Sequence, residues 1–209
     1  TEPEILLTAD PALTLRKAPD DEVDSVLLRS GIPPRGQYLC FALRRWKGFE
    51  EKAPIFGAAA EYAYRTYGLT PVFVAVEKHL DPGAGQLAAR GLTIPHYFLN
   101  DAGSAGTIIG ALSRMQAVVS MRLHALIFAA GQGIPLAGVV YDPKVSAFLR
   151  YIGQDLFVDL ADLTETDLRS MIDQCVAQAA HPETQEAAVR TLQAMEHKNV
   201  EVARRLLKS

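Results

Sequence analysis

Short apolar runs and amphipathic stretches take turns along almost the whole chain, and this alternation restricts the fold more than any other feature of the sequence. Residues 37–43 (QYLCFAL) form an apolar run of strand length that ends in the polar string Arg44-Arg45-Trp46-Lys47-Gly48. After it, Pro54 suits a helical first turn, the apolar positions 56, 59, 60, 63 and 67 share one helix face, and Gly68 suits a helix end. The same unit recurs, with strands predicted over 71–76, 94–99, 117–120 and 136–141 and helices over 82–90, 104–115, 123–131 and 143–151. Two further helices, 165–180 and 182–207, close the chain; the first has a regular apolar stripe at 168, 171, 172, 175, 176 and 179, the second a less regular one. Strands separated by helices cannot pair as hairpins, so they form a mostly parallel sheet with right-handed crossovers and helices on both faces. The expectation is an α/β, Rossmann-like, doubly wound domain.

Composition permits such a core and removes several classes of protein. With 209 residues, 49% hydrophobic and 22% charged, the chain can bury a full apolar interior and is not disordered. Its length corresponds to one domain, or one domain with an attached piece. Cys40 lies in an apolar run and Cys175 in a helical stripe, so the cysteines form neither a disulfide framework nor a metal site, and a reducing cytoplasm suits them. No apolar run approaches bilayer-spanning length, and the N-terminus lacks the basic-then-apolar layout of a signal peptide. The chain opens on Thr1 and reaches the apolar run Ile5-Leu6-Leu7 almost at once, which reads as a domain cut from something longer. Residues 14–24 are polar and contain Pro19 and Asp20-Asp21, as a linker would. The organisation expected is 1–24 as the end of a preceding domain and its linker, 25–160 as the Rossmann-like domain, and 161–209 as helices completing it.

In an open parallel sheet the ligand crevice lies at the carboxyl ends of the strands, where loops and positive helix N-termini converge. Those ends offer Arg44 and Arg45, then Glu77-Lys78-His79, then Asn100-Asp101 with Gly103-Ser104. The fourth gives Ser120-Met121-Arg122-Leu123-His124 and the fifth Tyr141-Asp142-Pro143-Lys144. The chain as a whole carries 21 basic against 24 acidic side chains, net −3, so no global field would hold nucleic acid or an anionic membrane. The rim is nevertheless basic. Arginine forks beside free helix N–H groups are what a small dianion or a phosphate needs, and an anionic ligand is the physical inference.

Residues 118–149 are the most informative stretch. Ser120 can cap the helix that follows, with Arg122 and His124 in its first turn near the positive helix end. Residues two apart on a helix are separated by roughly 200°, so Arg122 and His124 reach one ligand only where the turn is irregular. At an arbitrary helix start the commoner arrangement is an arginine solvating the helix end and a histidine bonded to a backbone carbonyl.

The segment SMRLHALIFAAGQGIPLAGVVYDPKVSAFL and the earlier strand-loop CFALRRW closely resemble the polysaccharide pyruvyltransferase family, in particular CsaB-like bacterial enzymes of cell-wall polysaccharide pyruvylation. Ala9-Asp10-Pro11-Ala12 is similar to the family's segment leading out of its N-terminal domain. RLH and YDPK are specific in combination, though either alone is weak. The resemblance implies the C-terminal domain of a GT-B-like, two-domain enzyme. It implies a reaction that moves the enolpyruvyl unit of phosphoenolpyruvate onto two hydroxyls of one hexose, giving a pyruvate ketal and phosphate. That scheme needs no metal and no cofactor beyond the donor substrate. The implied partners are phosphoenolpyruvate, a lipid-linked or polymeric saccharide acceptor and the missing N-terminal domain, which would read the acceptor, so this part alone would be inactive. The implied location is cytoplasmic, with peripheral docking at the inner membrane face left open.

Carried over by motif, Arg122, Leu123 and His124 match the RLH element associated with phosphoenolpyruvate, Lys144 the basic residue of YDPK, and Arg44 the arginine after the first strand. The family often has proline after that arginine where this chain has Arg45, so the choice between Arg44 and Arg45 stays open. Phosphoenolpyruvate carries roughly three negative charges near neutral pH, which suits arginine and lysine in a partly dry cleft. Ketal formation also needs a proton delivered to the enol carbon, and His124 is the candidate acid, or else a phosphate ligand.

Other polar residues are weaker candidates. Asp142 can orient Lys144 or cap the fifth helix; Ser120 is a further ligand candidate. His79 reads as an exposed loop residue, 101–106 as a phosphate cradle or a helix cap, and Tyr62, Tyr64 and Tyr67 as a partly buried helix face. Trp46 can pack on a ligand ring or close its loop over the core. Two rival readings are a GT-B nucleotide-sugar glycosyltransferase or epimerase, whose ribose carboxylate could only be Asp142, and a binding module that keeps the fold without the chemistry.

Overall fold

The computed structural model describes residues 8–207, the side chains of 182–186 and 188 excepted; the apolar run 5–7 expected to open the chain lies outside them. A 3-10 turn (Pro11–Thr14) precedes helix α1 (Asp20–Arg29), and the alternating core follows. It runs β1 (Tyr38–Ala42), α2 (Phe49–Tyr67), β2 (Thr70–Val74), α3 (Pro82–Ala88), β3 (Tyr97–Leu99), α4 (Ala105–Leu112), β4 (Ala117–Ser120) and α5 (Leu123–Gly131). Then come β5 (Leu136–Val140), α6 (Pro143–Tyr151), β6 (Phe157–Asp159), α7 (Glu165–Ala179) and α8 (Pro182–Leu206). The six strands form one sheet in the order β3-β2-β1-β4-β5-β6, and every pairing is parallel. The doubly wound expectation therefore holds.

Strand β1 is central, and all five of its residues are buried, which is why its sequence shows a continuous apolar run rather than an alternation. Cys40 pairs with Val72 on one side and Val118 on the other. Leu39 and Phe41 point into one layer with Phe56, Phe73, Met121 and Ile172, beneath α2, α3 and α7. Tyr38, Cys40 and Ala42 point into the other with Val26, Leu112, Leu126 and Val145, beneath α1, α4, α5 and α6. Burying a phenylalanine such as Phe41 or Phe56 is worth roughly 1.5–3 kcal/mol relative to exposure. Cys40 and Cys175 are free and buried, and burial pushes both thiols up, Cys175 to about 12.

The structure departs from expectation in five places. Residues 20–24, assigned to a linker, are the first half of α1, whose Val23 is fully buried against α4; acidic Asp20, Asp21 and Glu22 suit a helix N-terminus as well as a loop. The turn before it docks under α5 and α8. A Cβ at Gly131 would lie 2.6 Å from the Leu13 carbonyl oxygen, and Asn199 Nδ2 donates to the Ala9 carbonyl at 2.8 Å. Residues from Ala9 onward thus share the core. Helix α2 begins at Phe49, so Pro54 sits inside it rather than in its first turn; the buried Phe49 ring and the left-handed Gly48 (φ 82°) fix the earlier start. The third strand is shorter than expected, starting at Tyr97. A sixth strand, β6, was not expected. Finally, Ser120 does not cap α5: the N-cap is Arg122.

Helices α7 and α8 cover opposite sides. α7 packs on α2, where Tyr62 and Tyr67 both donate to Asp173 at 2.7 Å. α8, whose docking surface its sequence left open, packs on the 3-10 turn and α5. Among the described residues no helix is long and apolar enough to cross a membrane.

Candidate functional site

The strand order reverses between β1 and β4, and in an open parallel sheet that is where the loops diverge and leave a crevice. Asp81 stands at the N-cap position of α3 beyond β2, and Arg122 at that of α5 beyond β4, neither with a side-chain cap bond. These helices lie on opposite faces, so the pair reaches over the end of β1 from both sides. Arg122 Nε stands 3.4 Å from Asp81 Oδ2, and the two side chains are 14% and 1% exposed. The same Oδ2 accepts from the amides of Glu77 at 2.8 Å and Val76 at 3.1 Å. Asp81 Oδ1 and Arg122 Nη1 are buried without a hydrogen-bond partner. Burial pushes the Asp81 carboxyl up from its ordinary 3.8, against the lowering pull of those amides and of the Arg122 and Arg44 charges.

Arg44 follows β1 and lies over two aromatic rings, its guanidinium carbon 5.4 Å from the centre of Trp46 and 5.7 Å from that of Tyr141. The rings themselves are 4.9 Å apart. Cation–π attraction therefore holds Arg44 above the sheet edge, near enough to Asp81 for its charge to be felt there. Arg45 is turned away into an exposed ion pair with Glu50. Of the two arginines that the sequence left undecided, Arg44 is the one at the crevice.

Ser120 is fully buried at the end of β4. Its Oγ accepts from the Arg122 amide at 2.8 Å, and its one proton lies within donating distance of two carbonyls, that of Arg122 at 3.0 Å and that of Ala42 at 3.2 Å. Ser120 thus closes the turn between β4 and α5 beside the end of β1, in place of the cap expected. Leu123 is half-buried in the apolar layer under α5. His124, in the first turn, is exposed, its ring 6.0 Å from Phe128. Asp142 caps α6 as expected, accepting from the Lys144 amide at 3.0 Å, and its other oxygen lies 3.5 Å from Lys144 Nζ. It performs both roles considered for it. His124 and Lys144 thus occupy the first turns of helices on the same face beyond adjacent strands. Among the described residues neither is bonded to the Arg44, Asp81 and Arg122 group.

A cavity of about 690 Å³ opens beside this group, over the ends of β5 and β6 and against the start of α2. Trp46, Tyr141, Asp142 and Asp159 line it, and none of Arg44, Arg122, His124 or Lys144 does. Its charged lining is four carboxylates (Glu51, Asp142, Asp159, Asp162) against Lys47 and Lys52. Lys52 is engaged, donating to the Leu163 carbonyl at 2.9 Å. Among the described residues no group of His, Cys, Asp and Glu could hold a metal ion. The segment 101–106 is a cap: Ser104 and Thr107 form a capping box, and Asp101 bonds the Gly103 amide. His79 is exposed.

Two participants escaped sequence reasoning. Asp81 was overlooked although it heads an Asp-Pro helix start like that of Asp142, and Asp159 because its strand went unseen. An Asp-Pro pair after each strand end was a usable signal for the first.

The architecture is that of one domain of the GT-B glycosyltransferases. Among solved structures, the chain is similar to a glycotransferase of kitacinnamycin (TM-score 0.57, 15% identity, covering 82% of this chain and 43% of that one). It is equally similar to the glycosyltransferase VinC in complex with dTDP (0.57, 16%, 83% and 42%). A third is the E. coli ADP-heptose lipopolysaccharide heptosyltransferase II (0.57, 14%, 78% and 53%). The chain spans about half the length of these structures. No curated protein has a significant sequence match to the chain. Residues 1–143 match the polysaccharide pyruvyl transferase family, and the chain belongs to that family. The match includes the RLH element and stops one residue short of Lys144.

Proposed function

We propose that this chain is the donor-binding half of a transferase that moves the enolpyruvyl unit of phosphoenolpyruvate onto two hydroxyls of a hexose. The observation that carries the reading is Arg122 paired with Asp81 at the N-terminus of α5, with Arg44 held over Trp46 and Tyr141 after β1 and its charge felt at the same carboxyl, in a chain of this family. Asp81 neutralises one of the two positive charges, so a dianion arriving there meets a preset arginine pair, with α5 first-turn amides adjacent. Lys144 adds a cation from the next helix.

The chemistry requires that C3 of phosphoenolpyruvate take up a proton, leaving a cationic C2 that one sugar hydroxyl attacks. Phosphate leaves from C2 as the second hydroxyl closes the ring, so of the two hydroxyl protons one replaces the acid's and the other departs with phosphate. Arginines hold the carboxylate and phosphate oxygens and stabilise the departing phosphate. His124, exposed at the positive end of α5, is the proposed acid for C3. In the full-length enzyme, His124→Ala is expected to abolish ketal formation; near-normal turnover would remove His124 from the mechanism.

The competing reading is a nucleotide-sugar transferase, favoured by the structural likeness to VinC, which was solved with dTDP. Calorimetric titration separates the two: saturable heat with phosphoenolpyruvate and none with UDP is expected, and the reverse result would replace the proposal.

A further inference from the structure

We infer that the cavity beside the arginine pair is a saccharide subsite, shaped for a neutral pyranose lying against Trp46. The inference rests on the pyruvyl-transfer reading for the identity of its occupant and assigns the acceptor sugar, at least in part, to this domain. Its volume of about 690 Å³ falls within the range of small-molecule sites, roughly 300–1,000 Å³. Trp46 is 47% exposed, yet Tyr141 and Arg44 pack against it, so the ring offers an apolar surface whose orientation is fixed before any ligand arrives. The C–H face of a pyranose suits such a surface, because it is apolar while the ring's edge is polar.

The walls choose between ligand classes. Four carboxylates against two ammonium groups, one of them already bonded to the Leu163 carbonyl, repel phosphoenolpyruvate and nucleotide phosphates alike. The same carboxylates accept hydrogen bonds from sugar hydroxyls without hindrance. A neutral polyol satisfies both the aromatic and the acidic part of the lining, whereas a nucleoside phosphate satisfies the first and is opposed by the second. Placement agrees with use. Trp46 and Tyr141 line the cavity and also pack against Arg44, at 5.4 and 5.7 Å from its guanidinium carbon, so a sugar seated on Trp46 lies next to the residue proposed to hold the donor. Asp142 lines the cavity through the α6 cap and also faces Lys144.

Trp46 is the only tryptophan of the chain, so its fluorescence reports this cavity directly. The 209-residue chain is titrated with methyl α- and β-glycosides of glucose, galactose and mannose, with uridine, and, separately by calorimetry, with phosphoenolpyruvate. At least one glycoside is expected to shift the Trp46 emission saturably in the millimolar range, with roughly tenfold weaker binding or worse after Ser146→Phe, which fills the cavity, or after Asp159→Ala. Both variants are expected to keep the phosphoenolpyruvate heat of the parent chain, which shows that they remain folded. No glycoside response, an equal response in both variants, or a stronger response to uridine than to every glycoside would overturn the subsite. A glycoside response without phosphoenolpyruvate binding supports the subsite and removes the donor reading instead. Phosphoenolpyruvate binding without a glycoside response does the opposite.

Discussion

The rim of the sheet divides into two halves that meet the same solvent with opposite character. Over β2, β1 and β4, Arg122 pairs with a carboxylate withdrawn from water while Arg44 lies over Trp46 and Tyr141, and Asp81 Oδ1 and Arg122 Nη1 have no hydrogen-bond partner. Over β5 and β6, carboxylates outnumber cations around an open cavity, and all of them stay partly or fully in water. The first half concentrates charge where the dielectric is low, which would strengthen attraction for the proposed anion and weakens the fold. The second spends nothing on desolvation and keeps its groups hydrated until a ligand replaces the water. A chain with net charge −3 thus hides a cationic clamp and an acidic basin side by side, which total charge cannot reveal.

The sharpest way to break the contrast is to remove one partner of the buried pair. Arg122→Ala strands the Asp81 carboxylate and is expected to cost about 3 kcal/mol at neutral pH in urea unfolding, and to abolish phosphoenolpyruvate heat. The double change Asp81→Leu with Arg122→Met is expected to recover most of the stability and none of the binding. Full binding by the double variant would place the anion elsewhere.

A smaller loss is expected from Ser120→Ala. It removes the bond that joins the Arg122 amide to the end of β4 and costs about 1–2 kcal/mol, while the acidic half should keep any glycoside response. Asp142→Ala probes that half by removing the α6 cap, at about 1 kcal/mol, and an unchanged urea midpoint would contradict the capping role. Arg45→Ala is expected to move stability by about 0.5 kcal/mol or less, because its pair with Glu50 is exposed. Phosphoenolpyruvate affinity should fall with Arg44→Ala and not with Arg45→Ala.

Asp81 also makes the contrast visible as a pH dependence. Its folded-state value lies above the ordinary 3.8, so across that interval the folded chain binds more protons than the unfolded one. Its contribution to stability is then complete below 3.8 and is lost as pH rises through the raised value. Urea midpoints measured from about pH 4 to pH 7 should show this downward component in the parent chain and lack it in Asp81→Asn.

Much of this was legible before any coordinates. Buried parallel strands announce themselves as apolar runs, so β1, β4 and β5 were found within a residue or so, and the rule of strand ends led to Arg44, Arg122 and Lys144. What stayed hidden depended on partners distant in sequence. Asp81 looks like an ordinary helix cap until Arg122 arrives from the other face of the sheet. β6 is three residues at an edge, half-buried at most, too short for a pattern to exceed chance. Residues 20–24 are as polar as a loop, because only Val23 of that stretch is buried, and a single apolar residue sets no period. The choice between Arg44 and Arg45 needed Glu50 and the two aromatic rings to settle which side chain turned outward.

The Ser120 hydroxyl, joined to the end of one central strand and to the amide that begins the neighbouring helix, acts as a ruler. It fixes the Arg122 backbone beside the end of β1, the strand that leads to Arg44. If the proposed donor site is right, an anion of the same total charge as phosphoenolpyruvate but of different span is expected to bind more weakly.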